Sequence, residues 1–222
     1  MHGSSTHQAI PTPTLLPLGD SGLLVRFDTK LTDAANRAAI ALALALDREP
    51  LSGVLEVVPN LVSVLLRYDP WVTTANAVAG DVRLRLFGLD GSAIEGRKWR
   101  IAITFDGPDL VEVAAALGMT EAAFIAAHNG SDLRVLASGF APGFVYCGLH
   151  APSLILPRRS TLRSSVAVGS ILFAAGQTAI TATEMPTGWH VIGRTEFANF
   201  DARVMPPTQL RAGDSVRFEV AR

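Results

Sequence analysis

The 222-residue chain predicts an α+β protein in two parts: an N-terminal α/β sandwich of the ferredoxin-like kind, then a barrel or sandwich of short strands. Three observations carry this. Up to about residue 105, apolar runs bounded by turn residues alternate with two helical stretches, in the order strand, strand, helix, strand, strand, helix, strand. From Leu133 onward the apolar runs shorten and are punctuated by Gly and Pro. Between them, Asp106-Gly107-Pro108-Asp109 reads as a turn. The expected divisions are a disordered tail over residues 1–13, a first domain over 14–105 and a second over 106–222.

Each element has a local reason. Leu15 to Leu18 and Leu23 to Phe27 flank Gly19-Asp20-Ser21-Gly22, a tight-turn sequence, and read as a hairpin. Thr32 or Asp33 caps a helix through Asp47; the alternating Ala and Leu could mimic a strand, but Ala is the best helix former and is depleted in sheets. Val54 to Val58 and Leu61 to Tyr68 form a second hairpin about Pro59-Asn60. Thr73 or Thr74 caps a second helix toward Phe87, and Lys98 to Phe105 reads as a strand of the first domain. Asp109 supplies an N-cap for a helix whose Leu110, Val113, Ala114 and Leu117 share a face before Gly118. Thr120 caps another, in which Phe124, Ile125 and His128 share a face, so His128 points where Phe124 points. Strands are then expected at 133–137, 164–168, 171–174, 189–192 and 215–220.

Composition limits the function. Hydrophobic residues make up 49% and charged residues 18%, the profile of a soluble globular protein rich enough in apolar surface to fit an obligate partner. A net charge of -1 argues against nucleic-acid binding, which needs a basic face. The single cysteine, Cys147, excludes an internal disulfide, no Cys/His cluster has zinc spacing, and no metal is expected; a reducing cytoplasm fits. Met1 to Pro13 lacks the regions of a signal peptide, and the longest apolar run, Ala38 to Leu46, falls short of the ~20 residues a bilayer span needs. No membrane role is expected.

The stretch from Ser138 to Thr195 is the least generic. Gly139-Phe140-Ala141-Pro142-Gly143-Phe144, Leu156-Pro157-Arg158-Arg159, Gly176-Gln177-Thr178 and Ile192-Gly193-Arg194-Thr195 combine turn-forming residues with aromatics and arginines, with few acids, as a loop-built pocket does. This set resembles the allophanate hydrolase subunit 1 family, which includes the B-type subunit of ATP-dependent 5-oxoprolinase, the kinase inhibitor KipI and part of the carboxyltransferase region of urea carboxylase. Gly19-Asp20-Ser21, Val57-Val58-Pro59, Arg67-Tyr68-Asp69-Pro70 and Gly107-Pro108-Asp109-Leu110 extend the likeness over nearly the whole chain. The resemblance implies a cyclophilin-like β-barrel for the second domain and stable partners: subunit 2 (the C type) and an A-type subunit. In such a complex 5-oxo-L-proline is opened to L-glutamate at the expense of ATP. Two departures, Ala174-Ala175 before Gly176-Gln177-Thr178 and Cys147-Gly148-Leu149 after Tyr146, replace residues that are glycine in the pattern and bear on the pocket rim.

On that resemblance the substrate-binding candidates are Phe140, Pro142, Arg158, Arg163, Gln177 and Arg194. Phe140 and Pro142 could wall a ligand ring or simply anchor a turn. The arginines match a carboxylate or phosphate bidentately, or form ordinary ion pairs. Gln177 offers donor and acceptor together to a lactam or urea group, or satisfies loop backbone. His128 is a candidate acid or base, against a core histidine; Cys147 reads as a buried, inert thiol. The chain has no Gly-x-Ser-x-Gly elbow and no Walker-type loop, so ATP is expected on another subunit. Two rival functions are inhibition of a sensor histidine kinase and a carboxyltransferase role in urea or amide metabolism.

Overall fold

The computed structural model describes residues 10–91 and 96–221, in two compact units divided between Glu95 and Gly96. Of the expected tail, residues 1–9 lie outside the described residues.

The first unit contains β1 (Thr14–Leu18), β2 (Gly22–Arg26), α1 (Asp33–Arg48), β3 (Val54–Pro59), β4 (Ser63–Tyr68) and α2 (Ala75–Leu86). Its sheet runs β1-β2-β4-β3, each pair antiparallel. Thr32 and Thr74 cap the helices, their hydroxyls accepting from Ala35 N at 3.2 Å and Ala77 N at 3.3 Å. The alanine-rich face of α1 is wholly buried: Ala35, Ala38, Ala39 and Leu42 pack with Leu23, Val25, Val64 and Leu66 of the sheet. Each such leucine contributes roughly 2 kcal/mol on burial, and the small alanines let the helix lie close.

The expected ferredoxin-like order needs a strand after α2 in this sheet, and there is none among the described residues. β1 holds the edge beside β2 instead. Residues 98–103, assigned by sequence to the first domain, form β5 (Lys98–Ile103) of the second unit, paired in parallel with β13 (Ser215–Val220) from Lys98–Ser215 to Ile103–Val220. The cause is burial: Ile101 and Ile103 enter the second core. Strand alternation reveals a half-buried strand, not which sheet receives it.

The rest of the second unit comprises α3 (Leu110–Ala116), α4 (Glu121–His128), β6 (Leu133–Ser138), β7 (Val145–Gly148), a 3-10 turn at Pro152–Leu154, β8 (Arg163–Val166), β9 (Ser170–Ala174), β10 (Gln177–Ile180), β11 (Met185–Thr187) and β12 (His190–Arg194). A seven-stranded sheet runs β12-β9-β10-β7-β6-β13-β5, and β8 and β11 make a separate ribbon. The large sheet curls until its two edges meet: Thr104, just past β5, and Arg194, at the end of β12, exchange both backbone hydrogen bonds at 2.9 Å.

Both faces of this sheet are covered. Alternate residues of β9 go to different layers: Ile171 and Phe173 join an inner core with Val145, Cys147, Ile180 and Phe218, whereas Leu172 and Ala174 join an outer layer with Phe144, Ala179, Met185, Trp189 and Val191. Two-sided burial explains why β9 and β10 are apolar or buried without a break. Within the stretch expected to be built of loops, residues 145–148 and 177–180 are interior strands, too short and too flanked by glycine to stand out, whereas 139–144 and 156–159 lie outside helices and strands.

Candidate functional site

The outer layer gathers several of the predicted residues. β7 sets Tyr146 opposite Ala179 of β10, and Gln177 shares that face two residues earlier. A Cβ added to Gly148 would lie 3.4 Å from Gln177 Cγ and 2.9 Å from Leu136 Cδ1, so the glycine makes room for the glutamine side chain. From Tyr146 an aromatic series extends both ways. Its ring centroid is 4.8 Å from Phe144 and 5.9 Å from Trp189; Phe144 in turn meets Phe140 at 5.8 Å. The Arg158 guanidinium stands over Trp189, 5.6 Å from the ring centroid.

The loop from Gly139 to Phe144 sets one end of this series. Gly139 N donates to Phe144 O at 2.9 Å and Phe144 N to Ala141 O at 3.0 Å. Asn199 Nδ2 donates to Gly143 O at 2.8 Å. Gly143, at φ 69°, admits no side chain: a Cβ would fall 2.5 Å from Phe200 Cβ and 2.7 Å from Ala182 Cβ. Phe140 is held at φ 80° and is 79% exposed, a conformation that costs about 1–3 kcal/mol for a residue with a Cβ. Pro142 is exposed in the same loop.

Gln177 is 7% exposed, and its Oε1 has no hydrogen-bond partner among the described residues. An unsatisfied buried acceptor costs about 1–3 kcal/mol, and the structure bears that cost at Gln177. Tyr146 is half-buried; burial raises its hydroxyl pKa, and the charge of Arg158 works in the opposite direction.

The adjacent arginines of Leu156-Pro157-Arg158-Arg159 part company. Arg158 is exposed and, among the described residues, has no carboxylate partner. Arg159 turns to Asp109, with Nη1 2.7 Å from Oδ1, and Arg163 reaches the same carboxylate through Nε at 3.3 Å. Asp109, 2% exposed, also accepts from Val191 N at 2.8 Å. Burial pushes its pKa up, but the Arg163 hydrogen bond, the Val191 amide and the two guanidinium charges together hold it below the ordinary carboxylate value. Asp109 takes the N-cap position of α3 as expected, but its side chain makes no cap hydrogen bond and instead clamps the 157–163 segment to β12. Arg194, largely exposed, pairs with Asp106 at 2.8 Å and with Glu196 at 3.5 Å. Own-chain carboxylates thus engage Arg163 and Arg194.

His128 lies on the other face. It is fully buried, as the helical spacing with Phe124 predicts, and its ring nitrogens bond Asn129 Oδ1 and Thr178 Oγ1, each at 2.8 Å. The same hydroxyl bonds His150 Nε2 at 2.8 Å. Burial lowers the His128 pKa to about 4, and burial together with the neighbouring His128 lowers that of His150 to about 3. Both rings are neutral near pH 7. The Cys147 thiol is pushed up to about 12 by complete burial, which leaves it unreactive. No group of three or more metal-ligating side chains occurs among the described residues, and no single described helix is long and apolar enough to cross a membrane. Sequence reading missed Tyr146, Trp189 and His150. The Phe144-x-Tyr146 alternation was the available signal for Tyr146.

The chain belongs to the family described as "Carboxyltransferase domain, subdomain C and D", whose model matches residues 13–210. It is similar to the B-type subunit of 5-oxoprolinase from Bacillus subtilis (strain 168), 32% identical over 215 residues and 90% of each chain. It is equally 32% identical over 208 residues to the B-type subunit of 5-oxoprolinase from Escherichia coli O157:H7, covering 90% of this chain and 93% of the other. Among solved structures, a crystal structure of TTHA0988 matches at a TM-score of 0.80 and 37% identity over 91% of this chain, which spans 40% of that one. The Kluyveromyces lactis urea carboxylase shares the fold, at a TM-score of 0.74 and 13% identity, over 99% of this chain and 22% of that one.

Proposed function

We propose that this chain is the B-type subunit of an ATP-dependent 5-oxoprolinase, and that its outer sheet face forms one wall of the pocket that takes a small anionic amide. Relatives named as this component of 5-oxoprolinase support a role in that type of multi-subunit system. The observation that carries the reading is that the outer layer holds both a guanidinium, over Trp189, without a carboxylate partner among the described residues and a buried amide carbonyl without a donor.

In this reading Arg158, steadied on Trp189, takes the carboxylate of 5-oxo-L-proline; such a charge-assisted bond contributes about 1.5–3 kcal/mol. Gln177 Oε1 accepts the lactam N–H. Phe140, Phe144 and Tyr146 cover the apolar ring edge, with Pro142 on the rim. Arg163 and Arg194 shape the wall through Asp109 and Asp106, and His128 serves the interior. The second unit is read as a cyclophilin-like barrel. The remaining wall comes from subunit 2, of the C type, and ATP is handled by another subunit, of the A type, in the cytoplasm.

The test is reconstitution with the neighbouring subunits and an assay of glutamate released from 5-oxo-L-proline and ATP. A complete complex without activity overturns the proposal. The family description favours one rival, a carboxyltransferase component of urea or amide metabolism, which would make turnover depend on a biotinylated carrier.

A further inference from the structure

The residue behind Gln177 is tied down in a way that the outer site does not use. Thr178, the next residue of β10, faces the inner core, and its hydroxyl lies 2.8 Å from both His128 Nε2 and His150 Nε2. With Asn129 presenting Oδ1 to the ring, the direction of every bond follows. Asn129 Oδ1 accepts only, so His128 Nδ1 carries the proton and donates to it. A neutral His128 then has a bare Nε2, which accepts from the Thr178 hydroxyl. That hydroxyl, its proton committed, accepts from His150 Nε2–H. The chain runs one way, from His150 through Thr178 and His128 to Asn129. Phe105, Phe124, Phe173 and Phe218 pack around the His128 ring at centroid distances of 5.5 to 6.1 Å, so these polar groups sit in an apolar shell with one another as partners.

The place where this chain grips β10 is under strain. The two residues joining β9 to β10, Ala175 and Gly176, both have positive φ, 51° and 70°, and Ala175 bears that conformation with a Cβ. Directly after them comes Gln177 with its unsatisfied Oε1. A strained turn and an unpaired buried amide each work against a fixed strand end, and strain of this kind persists where surrounding structure over-determines it.

We propose that Thr178 is a positioning residue: the one-way chain His150–Thr178–His128–Asn129 on the inner face of β10 fixes the strand end so that Gln177 presents its amide carbonyl on the outer face. The inference rests on the reading of Gln177 as the ligand-facing amide, but its test needs no ligand. With ¹⁵N-labelled protein at pH 7.5, long-range imidazole correlations report tautomers, and the Gln177 carboxamide pair, identified by its loss in Gln177→Leu, reports the amide. The expected result is protonated Nδ1 on His128 and protonated Nε2 on His150. Thr178→Val displaces the Gln177 carboxamide signals by more than their line widths, whereas Thr178→Ser, which keeps the hydroxyl, leaves them in place. Should Thr178→Val not fold, His150→Leu serves, since it removes the donor to the Thr178 hydroxyl and must displace the same signals. The opposite tautomers, or a Gln177 pair unmoved in the folded variant, overturn the proposal. Failure of the wild-type complex to release glutamate would count against the functional reading alone.

Discussion

Acidification to pH 4 strips the second unit of stability through its two buried histidines. An unfolded histidine titrates near 6.5, whereas His128 in the folded chain titrates at about 4. Between those values the unfolded chain binds the extra proton, so stability is complete above about pH 6.5 and falls as pH drops toward 4. The gap is 6.5 minus 4, or about 2.5 pH units, and at 1.36 kcal/mol per unit His128 alone contributes about 3 kcal/mol. His150, lowered further to about 3, acts in the same direction, but the rings share Thr178 and repel when charged, so the contributions do not add. About 3 kcal/mol is a large share of the 5–15 kcal/mol typical of a domain. Urea unfolding followed by tryptophan fluorescence at pH 7.5, 6, 5 and 4.5 measures the loss. Comparison with His128→Gln, which cannot titrate, isolates its source. The wild-type loss should be the steeper by more than 1 kcal/mol over this interval; the same slope in both proteins would refute the reasoning.

Three further outcomes follow from the same geometry. Asp109→Ala leaves Arg159 and Arg163 without their shared carboxylate and should lower stability by about 3 kcal/mol, read as a shift of the urea midpoint. Gly143→Ala forces a Cβ to within 2.5 Å of Phe200 Cβ at positive φ and should cost more than about 2 kcal/mol, with loss of soluble protein or of melting temperature as the readout. Ala175→Gly relieves about 1–2 kcal/mol of left-handed strain and returns up to about 1 kcal/mol to the flexible unfolded chain. The net gain of about 0.5 kcal/mol should raise the melting temperature by about 1–2 °C.

What the sequence discloses and what it hides divide along the range of the interactions. The helix over 33–48, its Thr32 cap and the hairpins about Gly19 and Asn60 follow from local propensity and turn chemistry. The shared burial of Phe124 and His128 follows from helical spacing. The sheet that receives Lys98–Ile103 does not, because it depends on β13, more than a hundred residues on. The arginines show the same limit: nothing near Arg158 and Arg159 tells which one Asp109, some fifty residues earlier, will claim. Gln177 and Tyr146 stand in strands of four residues flanked by glycine, so their common face emerges only once β7 and β10 are paired. Ala175 shows the same limit: its positive φ emerges only once β9 and β10 are paired and leave Ala175 and Gly176 as the two-residue connection between them.

The most direct measurement is ATP-dependent glutamate release from 5-oxo-L-proline by the complete complex, compared for wild type, Arg158→Gln and Gln177→Leu. Turnover by the wild type, with kcat/KM reduced about tenfold or more in each variant, is the predicted result, since each loses a bond of about 1.5 kcal/mol or more. Absence of turnover in the wild-type complex, or variants indistinguishable from it, would contradict the account.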